Sequence, residues 1–372
     1  VSLPAIVIFS LVLALFAACN VAAVRVLTRL HPRRRRIVYA LVIVCNVLWP
    51  LLPVLNARTP LSRIARAVFG PPWFAWLCFV LLYSLFMLLV WIARIPRRAA
   101  SRVFMWVTII AAIVGGWQAL VSLRVERVSI ALHDLPPPLD GTRIAVLADL
   151  HTGLFTRRAR LRQFFATANA LRPDVVLLAG DLVDDDPVYL PKLLDGLRPL
   201  DPSVPLVAVL GNHEMYGAPE EFIARMRPTR VKLLVNEGAS VRGLWIAGIS
   251  DYAARIPSLK PDMAAALRAR PADAFPILVS HQPRSFDEAR QRNIPLTICA
   301  HTHGGQCGFR PLHWSLAGLF LRYHMGLYRA GGSQLYVNTG TGFWVLPFRL
   351  GMTPEITLIT LKRDRGAGQN AP

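Results

Sequence analysis

Through its first 125 residues the chain has no aspartate or glutamate, and four uncharged apolar runs follow one another there: Leu3 to Val24, Ile37 to Leu55, Trp73 to Ile92 and Val103 to Leu123. Each is about 19–22 residues long, enough for an α-helix to cross a hydrocarbon core of roughly 30 Å. Buried helices of a soluble core rarely lack every charge four times in succession, so the pattern predicts four transmembrane helices. Trp49, Trp73, Trp91 and Trp106 lie near the ends of the runs, where interfacial aromatics collect. A cleaved signal peptide competes for the first run, with Phe16-Ala17-Ala18-Cys19 in the place of a cleavage site, but the basic segment that should precede it is missing.

The arginines between the runs give a direction. Arg25, Arg29 and Arg33 to Arg36 precede the second run and Arg94, Arg97, Arg98 and Arg102 the fourth, whereas only Arg58, Arg63 and Arg66 lie between the second and third. The positive-inside bias then places the first and third loops in the cytoplasm, and both the N-terminus and the long C-terminal region on the outer face of the membrane. Fourteen of the 42 Lys and Arg residues fall at or before Arg124, so 28 basic residues face 22 acidic ones in the remainder. An excess of 6 in that region does not call for a nucleic-acid partner, although the formal net charge of the whole chain is +20. Five cysteines, three of them inside apolar runs, are too few and scattered for a disulfide framework.

After Arg124 the composition turns mixed. His133-Asp134-Leu135-Pro136-Pro137-Pro138 and Asp140-Gly141 read as a linker and turn, which sets the expected organisation: a transmembrane region over 1–124, a linker over 125–141, a second domain over 142–364 and a flexible tail over 365–372. Short runs rich in Val, Ile and Leu predict strands at Arg143–Leu150, Asp174–Gly180, Leu206–Gly211, Leu244–Ser250, Ile277–Ser280, Leu296–Ala300, Leu335–Asn338 and Ile356–Leu361. Helical patterns at Arg157–Leu171 and Val188–Leu200 separate the first three, an α/β alternation with a largely parallel first half.

Polar residues able to bind metals stand where these strands stop, the usual ligand position in open α/β sheets. The strand ends read Ala148-Asp149-Leu150-His151, Gly180-Asp181-Leu182-Val183-Asp184, Gly211-Asn212-His213-Glu214, Ser280-His281-Gln282-Pro283 and Ala300-His301-Thr302-His303-Gly304-Gly305-Gln306. Singly, each is ordinary turn chemistry. Together, Asp, His and Asn without Cys suit divalent cations, and seven or so donors are what two ions sharing a carboxylate need.

This ordered set resembles the calcineurin-like metallophosphoesterases, whose pattern is Asp-x-His, Gly-Asp-x-x-Asp, Gly-Asn-His-Glu/Asp, a lone His, then Gly-His-x-His. The resemblance covers roughly residues 142–362. The extended His-Thr-His-Gly-Gly-Gln run and the closing Pro354-Glu355-Ile356-Thr357-Leu358 look like the membrane-associated bacterial branch of that family. One position departs: the glycine before the last His-x-His is Ala300 here, which matters only if that backbone requires a positive φ.

The resemblance implies an αββα sandwich with two mixed β-sheets, following the membrane helices. It assigns Asp149, His151 and His303 to one metal, Asn212, His281 and His301 to the other, and Asp181 as the bridge, with two divalent ions (Mn, Fe or Zn) as cofactors. Two such ions can lower the pKa of a bridging water and hold it as the attacking hydroxide. His213, directly after a ligand asparagine, is the candidate catalytic residue, protonating the leaving oxygen or stabilising phosphoryl charge. Asp184 and Glu214 are expected to orient it or the ligand histidines. His31, His133, His313 and His324 have no partner pattern, and Cys299 and Cys307, which flank the metal loop, are expected as free thiols rather than a disulfide.

The segment Pro311–Gly332 mixes Trp314, Leu316, Leu319, Phe320 and Leu321 with Arg322 and Arg329, a composition that suits an interface with a bilayer or a packed cap over the sheet. The expected function is a membrane-anchored metal-dependent phosphohydrolase, its partners a phosphate-ester substrate and the lipid bilayer. Relatives in the membrane-associated branch include hydrolases of a UDP-linked diacyl sugar, which makes a lipid-linked phosphodiester or pyrophosphate the first substrate class. Alternatives are a non-catalytic membrane sensor or scaffold on the same fold, or a nuclease of the same family.

Overall fold

The computed structural model describes residues 18–30, 32–40 and 60–364, which divide into two compact units, 1–114 and 115–372. The division falls ahead of the boundary expected at residue 124. In the first unit residues 18–30 are helical, and a long helix, Pro60–Ile92, precedes the helix Arg97–Leu120. Phe74–Ile92 and Arg97–Leu120 are long and apolar enough to cross a membrane, and Leu82, Trp91, Trp106 and Ile113 stand exposed on them. A soluble core helix would bury such a face. Two candidate membrane helices therefore stand among the described residues rather than four, and the first two expected spans fall mostly outside those residues. What is described of the first unit packs Ala23, Leu27, Val80, Tyr83, Met87 and Val90 together, with Tyr83 Oη 2.8 Å from Ser101 Oγ.

The second unit is built on two six-stranded sheets. In chain order the strands are β1 (Arg124–Leu132), β2 (Arg143–Leu147), β3 (Val175–Ala179), β4 (Leu206–Val209), β5 (Lys232–Leu234), β6 (Glu237–Val241), β7 (Leu244–Gly248), β8 (Phe275–Val279), β9 (Leu296–Cys299), β10 (Gly308–Phe309), β11 (Trp314–Ser315), β12 (Gly326–Ala330), β13 (Ser333–Val337) and β14 (Glu355–Arg363). One sheet runs β1-β14-β2-β3-β4-β5 and the other β12-β13-β9-β8-β7-β6; β10 and β11 pair separately. The first sheet is parallel except at β14–β2, and the second except at its two edge hairpins, β12–β13 and β6–β7.

The central strands β2, β3, β4, β7, β8 and β9 are apolar runs because each is buried on both faces. Ile144 and Val146 of β2 point between the sheets, where they meet Ile246, Ile277, Val279 and Ile298. Ala145 and Leu147 point the other way, onto Leu161, Phe164 and Phe165 of the helix Arg158–Ala170. Across the other sheet, Trp245 and Leu278 pack on Met263, Ala266 and Ala289. The result is the expected four-layer α/β sandwich with two mixed sheets, and each fully buried Leu, Ile or Val contributes roughly 1.5–3 kcal/mol to it.

The stretch expected as a linker holds a nine-residue strand. β1 pairs in register with β14 along its whole length, Arg124 opposite Glu355 and Leu132 opposite Arg363. Ile130 and Leu132 enter the inter-sheet core while the charged neighbours face outward, so the strand is amphipathic and carries too many charges to stand out as an apolar run. The Pro136–Pro138 segment that follows turns the chain back into β2. The tail 365–372 lies outside the described residues.

Candidate metal centre

All five motif segments leave the ends of β2, β3, β4, β8 and β9, so the topology gathers them at one edge of the sandwich. The loops are held by one another's backbone: Asp149 N–H donates to Gly180 O and His151 N–H to Asp181 O, both at 3.0 Å. Asp149, His151, Asp181, His301 and His303 all adopt positive φ, between 41° and 73°. Each such conformation costs on the order of 1 kcal/mol for a residue with a side chain, and strain of this kind gathers where function holds it.

The two glycines before Asp181 and Asn212 are needed for different reasons. Gly180 has φ +89°, and a Cβ there would lie 2.5 Å from His281 Nδ1. Gly211 is extended, at φ −104° and ψ −174°, so it is required for space alone: a Cβ would come within 2.1 Å of Asp181 Oδ1. Ala300 is absent from the positive-φ residues, so its departure from the family's glycine costs no backbone strain.

The donor atoms fall into three groups: Asp149, His151 and His303; Asp181, His281 and His301; and His151, Asp184 and His213. Asp149, Asp181, Asn212, His281, His151 and His303 are buried, and His301 is partly exposed. His281 Nδ1 lies 2.8 Å from Ala179 O, which can only accept, so Nδ1 carries the proton and Nε2 faces the cluster. There Nε2 is 3.0 Å from Asp181 Oδ2, 3.2 Å from Asn212 Oδ1 and 3.3 Å from His301 Nδ1. On the other side His151 Nε2 and His303 Nε2 approach to 3.0 Å, with His303 Nε2 3.7 Å from Asp149 Oδ1.

These residues fit divalent cations on their own geometry. Both carboxylate oxygens of Asp149 and the Nδ1 of His151 are buried without a hydrogen-bond partner among the described residues, which is costly unless something binds there. Burial, opposed by His281 and reinforced by Asp181, pushes Asp149 up to about 6. His281 is raised well above an ordinary histidine: burial opposes the rise, and Asp181 and Asp149 outweigh it. In the same cluster burial drives His301 down to about 3, so its ring is neutral and open as a donor.

His213 sits beside the cluster. Its ring stands perpendicular to His151 at 4.5 Å between centroids, with Nδ1 2.7 Å from Asp185 Oδ1 and 3.6 Å from Asp184 Oδ1. Burial lowers its basicity, but Asp185, Asp181 and Asp184 raise it to about 9. Asp184 also faces His151 Nδ1 at 3.8 Å, whereas Asp185 is the nearest carboxylate to His213.

Glu214 makes its hydrogen bonds to backbone rather than to a histidine ring. Its carboxylate accepts from the amides of Gly211, Asp181, Leu182 and Val183 at 2.7–3.1 Å, which fastens the β3 loop to the β4 loop. Burial and Asp181 push it up to about 7. Cys299 and Cys307 are free thiols, Cys299 buried and pushed up to about 12 by that burial.

Two features escape sequence reading. Arg349, fully buried, places Nη2 2.9 Å from His303 Nδ1; nothing in Pro347-Phe348-Arg349-Leu350 distinguishes it from a surface arginine. Asp251, after β7, is buried with Oδ2 unpartnered, while Oδ1 accepts from Ala253 N and Gln282 Nε2, both at 2.8 Å. A strand-end rule applied to β7 would have found it. Around the site the loops expose large apolar side chains: Leu154 and Phe155 after His151, Tyr216 after His213, and Phe309, Leu312, Leu319 and Phe320 after His303.

Comparison with known proteins agrees with this geometry. Residues 142–305 match the family described as Calcineurin-like phosphoesterase. A Danio rerio protein named "Transmembrane protein with metallophosphoesterase domain" is 32% identical over 69% of this chain and 61% of its own length. An "Uncharacterized metallophosphoesterase" of Helicobacter pylori is 30% identical over 66% of each chain. The chain thus spans less than two thirds of either relative. The solved NAD nucleotidase of Haemophilus influenzae aligns at 17% identity and TM-score 0.37 over 54% of this chain and 45% of that one. The domain that contains the buried His/Asp centre is thus similar to the calcineurin-like metallophosphoesterases.

Proposed function

We propose that the protein is a membrane-anchored phosphohydrolase that works with two divalent cations, on a lipid-linked phosphodiester or pyrophosphate such as a UDP-diacyl sugar. The observation that carries this reading is the position of Asp181 Oδ2, 3.0 Å from His281 Nε2 and 3.8 Å from His151 Nε2, so that one carboxylate oxygen faces both halves of the donor set. Asp149, His151 and His303 would hold one cation and Asn212, His281 and His301 the other, with Asp181 between them. Bound there, the pair supplies Lewis-acid charge that acidifies water and neutralises phosphoryl oxygens.

The chain's own groups do the rest. His213 keeps Nδ1 against Asp185 and offers Nε2 to the phosphoryl or leaving oxygen, where a held proton can be donated. Glu214 keeps Asp181 in place through four amides. The exposed apolar rim supports a substrate with acyl chains, and the two apolar helices, with the transmembrane relative, support the membrane anchor. The outward orientation rests on the arginine bias of the loops, and a nucleotide-linked lipid met in the cytoplasm would overturn that orientation.

The test is turnover of the full chain in detergent on a soluble aryl phosphodiester, its monoester and a UDP-linked diacyl lipid, with Mn²⁺ and with chelator. Metal-dependent hydrolysis fastest on the lipid is expected. Two bound ions with no turnover on any substrate would move the weight to the scaffold reading.

A further inference from the structure

Three side chains of one short helix meet at the mouth of the centre. The helix Asn212–Tyr216 starts where His213 N–H donates to Asp181 Oδ1 at 2.9 Å, and it ends at Gly217, where a Cβ would stand 2.0 Å from Asp185 O. Gly217 N–H donates to His213 O at 3.3 Å, which closes the last turn. The loop after β3 therefore fixes both ends of the helix, and with them the direction of the side chains it carries. Residues four apart in a helix lie on one face, so Tyr216 stands one turn beyond Asn212, on the side that Asn212 turns to the donor set.

Asn212 is buried with Oδ1 3.2 Å from His281 Nε2, so its oxygen faces the cluster and its Nδ2 points away from it. The side chain that hydrogen-bonds it there is Tyr216. An amide nitrogen can only donate, so the phenol oxygen accepts, and no acceptor for the phenol's own proton lies within hydrogen-bond distance among the described residues. Asp251, Asp181 and Asp185 act on the phenol through charge alone. Tyr216 is 58% exposed where His213 is 7%, so that proton is turned toward whatever enters the mouth. The two rings stand 5.7 Å apart at 63°, edge to face, and imidazole and phenol border the same space.

We propose that Tyr216 is a further substrate-contacting residue of the centre: its hydroxyl accepts from the Asn212 amide and donates to a non-bridging phosphoryl oxygen of the ester, while His213 serves the leaving oxygen. The inference rests on the two-cation reading and deepens it, because it divides the oxygens of the phosphate between two donors of one helix. A hydrogen bond of this kind, from a neutral donor to a charged oxygen, holds the phosphate product as well as the ester.

The experiment uses the full chain in detergent, saturated with Mn²⁺, as wild type, Tyr216→Phe and Tyr216→Leu. Bound manganese is counted, inorganic phosphate is titrated in by calorimetry, and turnover is followed on the 4-nitrophenyl and phenyl esters of methyl phosphate. Wild type and both variants should carry two ions. Both variants should bind phosphate about 10- to 100-fold more weakly, the range for losing a hydrogen bond to a charged group. They should lose kcat/KM by one common factor on the two esters, since a contact with a non-bridging oxygen does not sense the leaving group. Phosphate affinity within about twofold of wild type in Tyr216→Phe would overturn the contact, being less than one such hydrogen bond. A larger loss on the phenyl ester would move the hydroxyl to the leaving oxygen and overturn the division with His213. Loss of one ion at saturating Mn²⁺ would make Tyr216 a support for Asn212 and overturn the substrate contact. A wild type that binds no manganese pair would overturn the two-cation reading itself.

Discussion

The centre and the rim of the site depart from folding physics in opposite directions. At the centre Asp149 is 0% exposed and Asp181 2%, with histidines packed nose to nose; at the rim Phe320 is 82% exposed, Leu312 76% and Leu319 61%. Stability alone would reverse both assignments, since buried carboxylates and solvated phenyl rings are each unfavourable. The difference teaches that two separate demands act on the same loops: charge to be met at the bottom, apolar matter to be met at the mouth. Substitutions that touch only one should separate them.

The largest effect is expected at the centre. Asp181→Ala removes the oxygen that faces both halves, and should lower turnover on any phosphate ester by on the order of 10³-fold or more while reducing bound metal, read by kinetics and metal analysis. His213→Asn should cost about 10²–10⁴-fold in kcat with bound metal unchanged, because it removes a proton donor and no ligand. A loss of metal in that variant would make His213 a ligand instead.

A third test probes the floor beneath the centre. Glu355 is buried and accepts from Tyr336 Oη, Thr339 Oγ1 and Thr357 Oγ1 at 2.7–2.8 Å, with Arg310 as its ion pair. Burial would raise its pKa, but Arg310 and these hydroxyls outweigh burial and lower it. A depressed carboxyl pKa adds stability above the ordinary glutamate value and loses it as pH falls through the folded-state value. Glu355→Gln should therefore destabilise the protein by about 3 kcal/mol at neutral pH, and the gap to wild type should close in acid, measured by denaturation across pH. A gap that is constant with pH would remove the charge from the explanation.

The smallest effect is expected at the rim. Replacing Leu319, Phe320 and Leu321 together with serine should leave turnover of a soluble phosphodiester within about twofold and lower turnover of a vesicle-borne lipid about tenfold, since each exposed apolar side chain offers only partial burial to a membrane. Equal turnover of both substrates would make the segment a cap without a lipid role.

How much of this was legible in the sequence follows the same divide. The eight strands read as apolar runs are all present, with ends shifted by a few residues, because most of their positions are buried. β1, β5, β6 and β12 escaped, as did the two-residue β10 and β11: the first four lie at sheet edges, where one face meets solvent and the pattern is diluted by residues such as Arg127, Lys232, Glu237 and Arg329. The candidate ligands were legible because strand ends and motif order place them. Arg349 was not, since its meaning comes from a loop that returns from far along the chain to meet His303 and Gly115.

The most direct measurement of the central claim is metal content and turnover of the full-length protein, purified in detergent, beside Asp181→Ala and with or without chelator. The account predicts two divalent ions per wild-type chain, hydrolysis of a phosphate ester that chelator abolishes and Mn²⁺ restores, and neither in the variant. Phosphate-ester hydrolysis that survives both chelator and Asp181→Ala would contradict it.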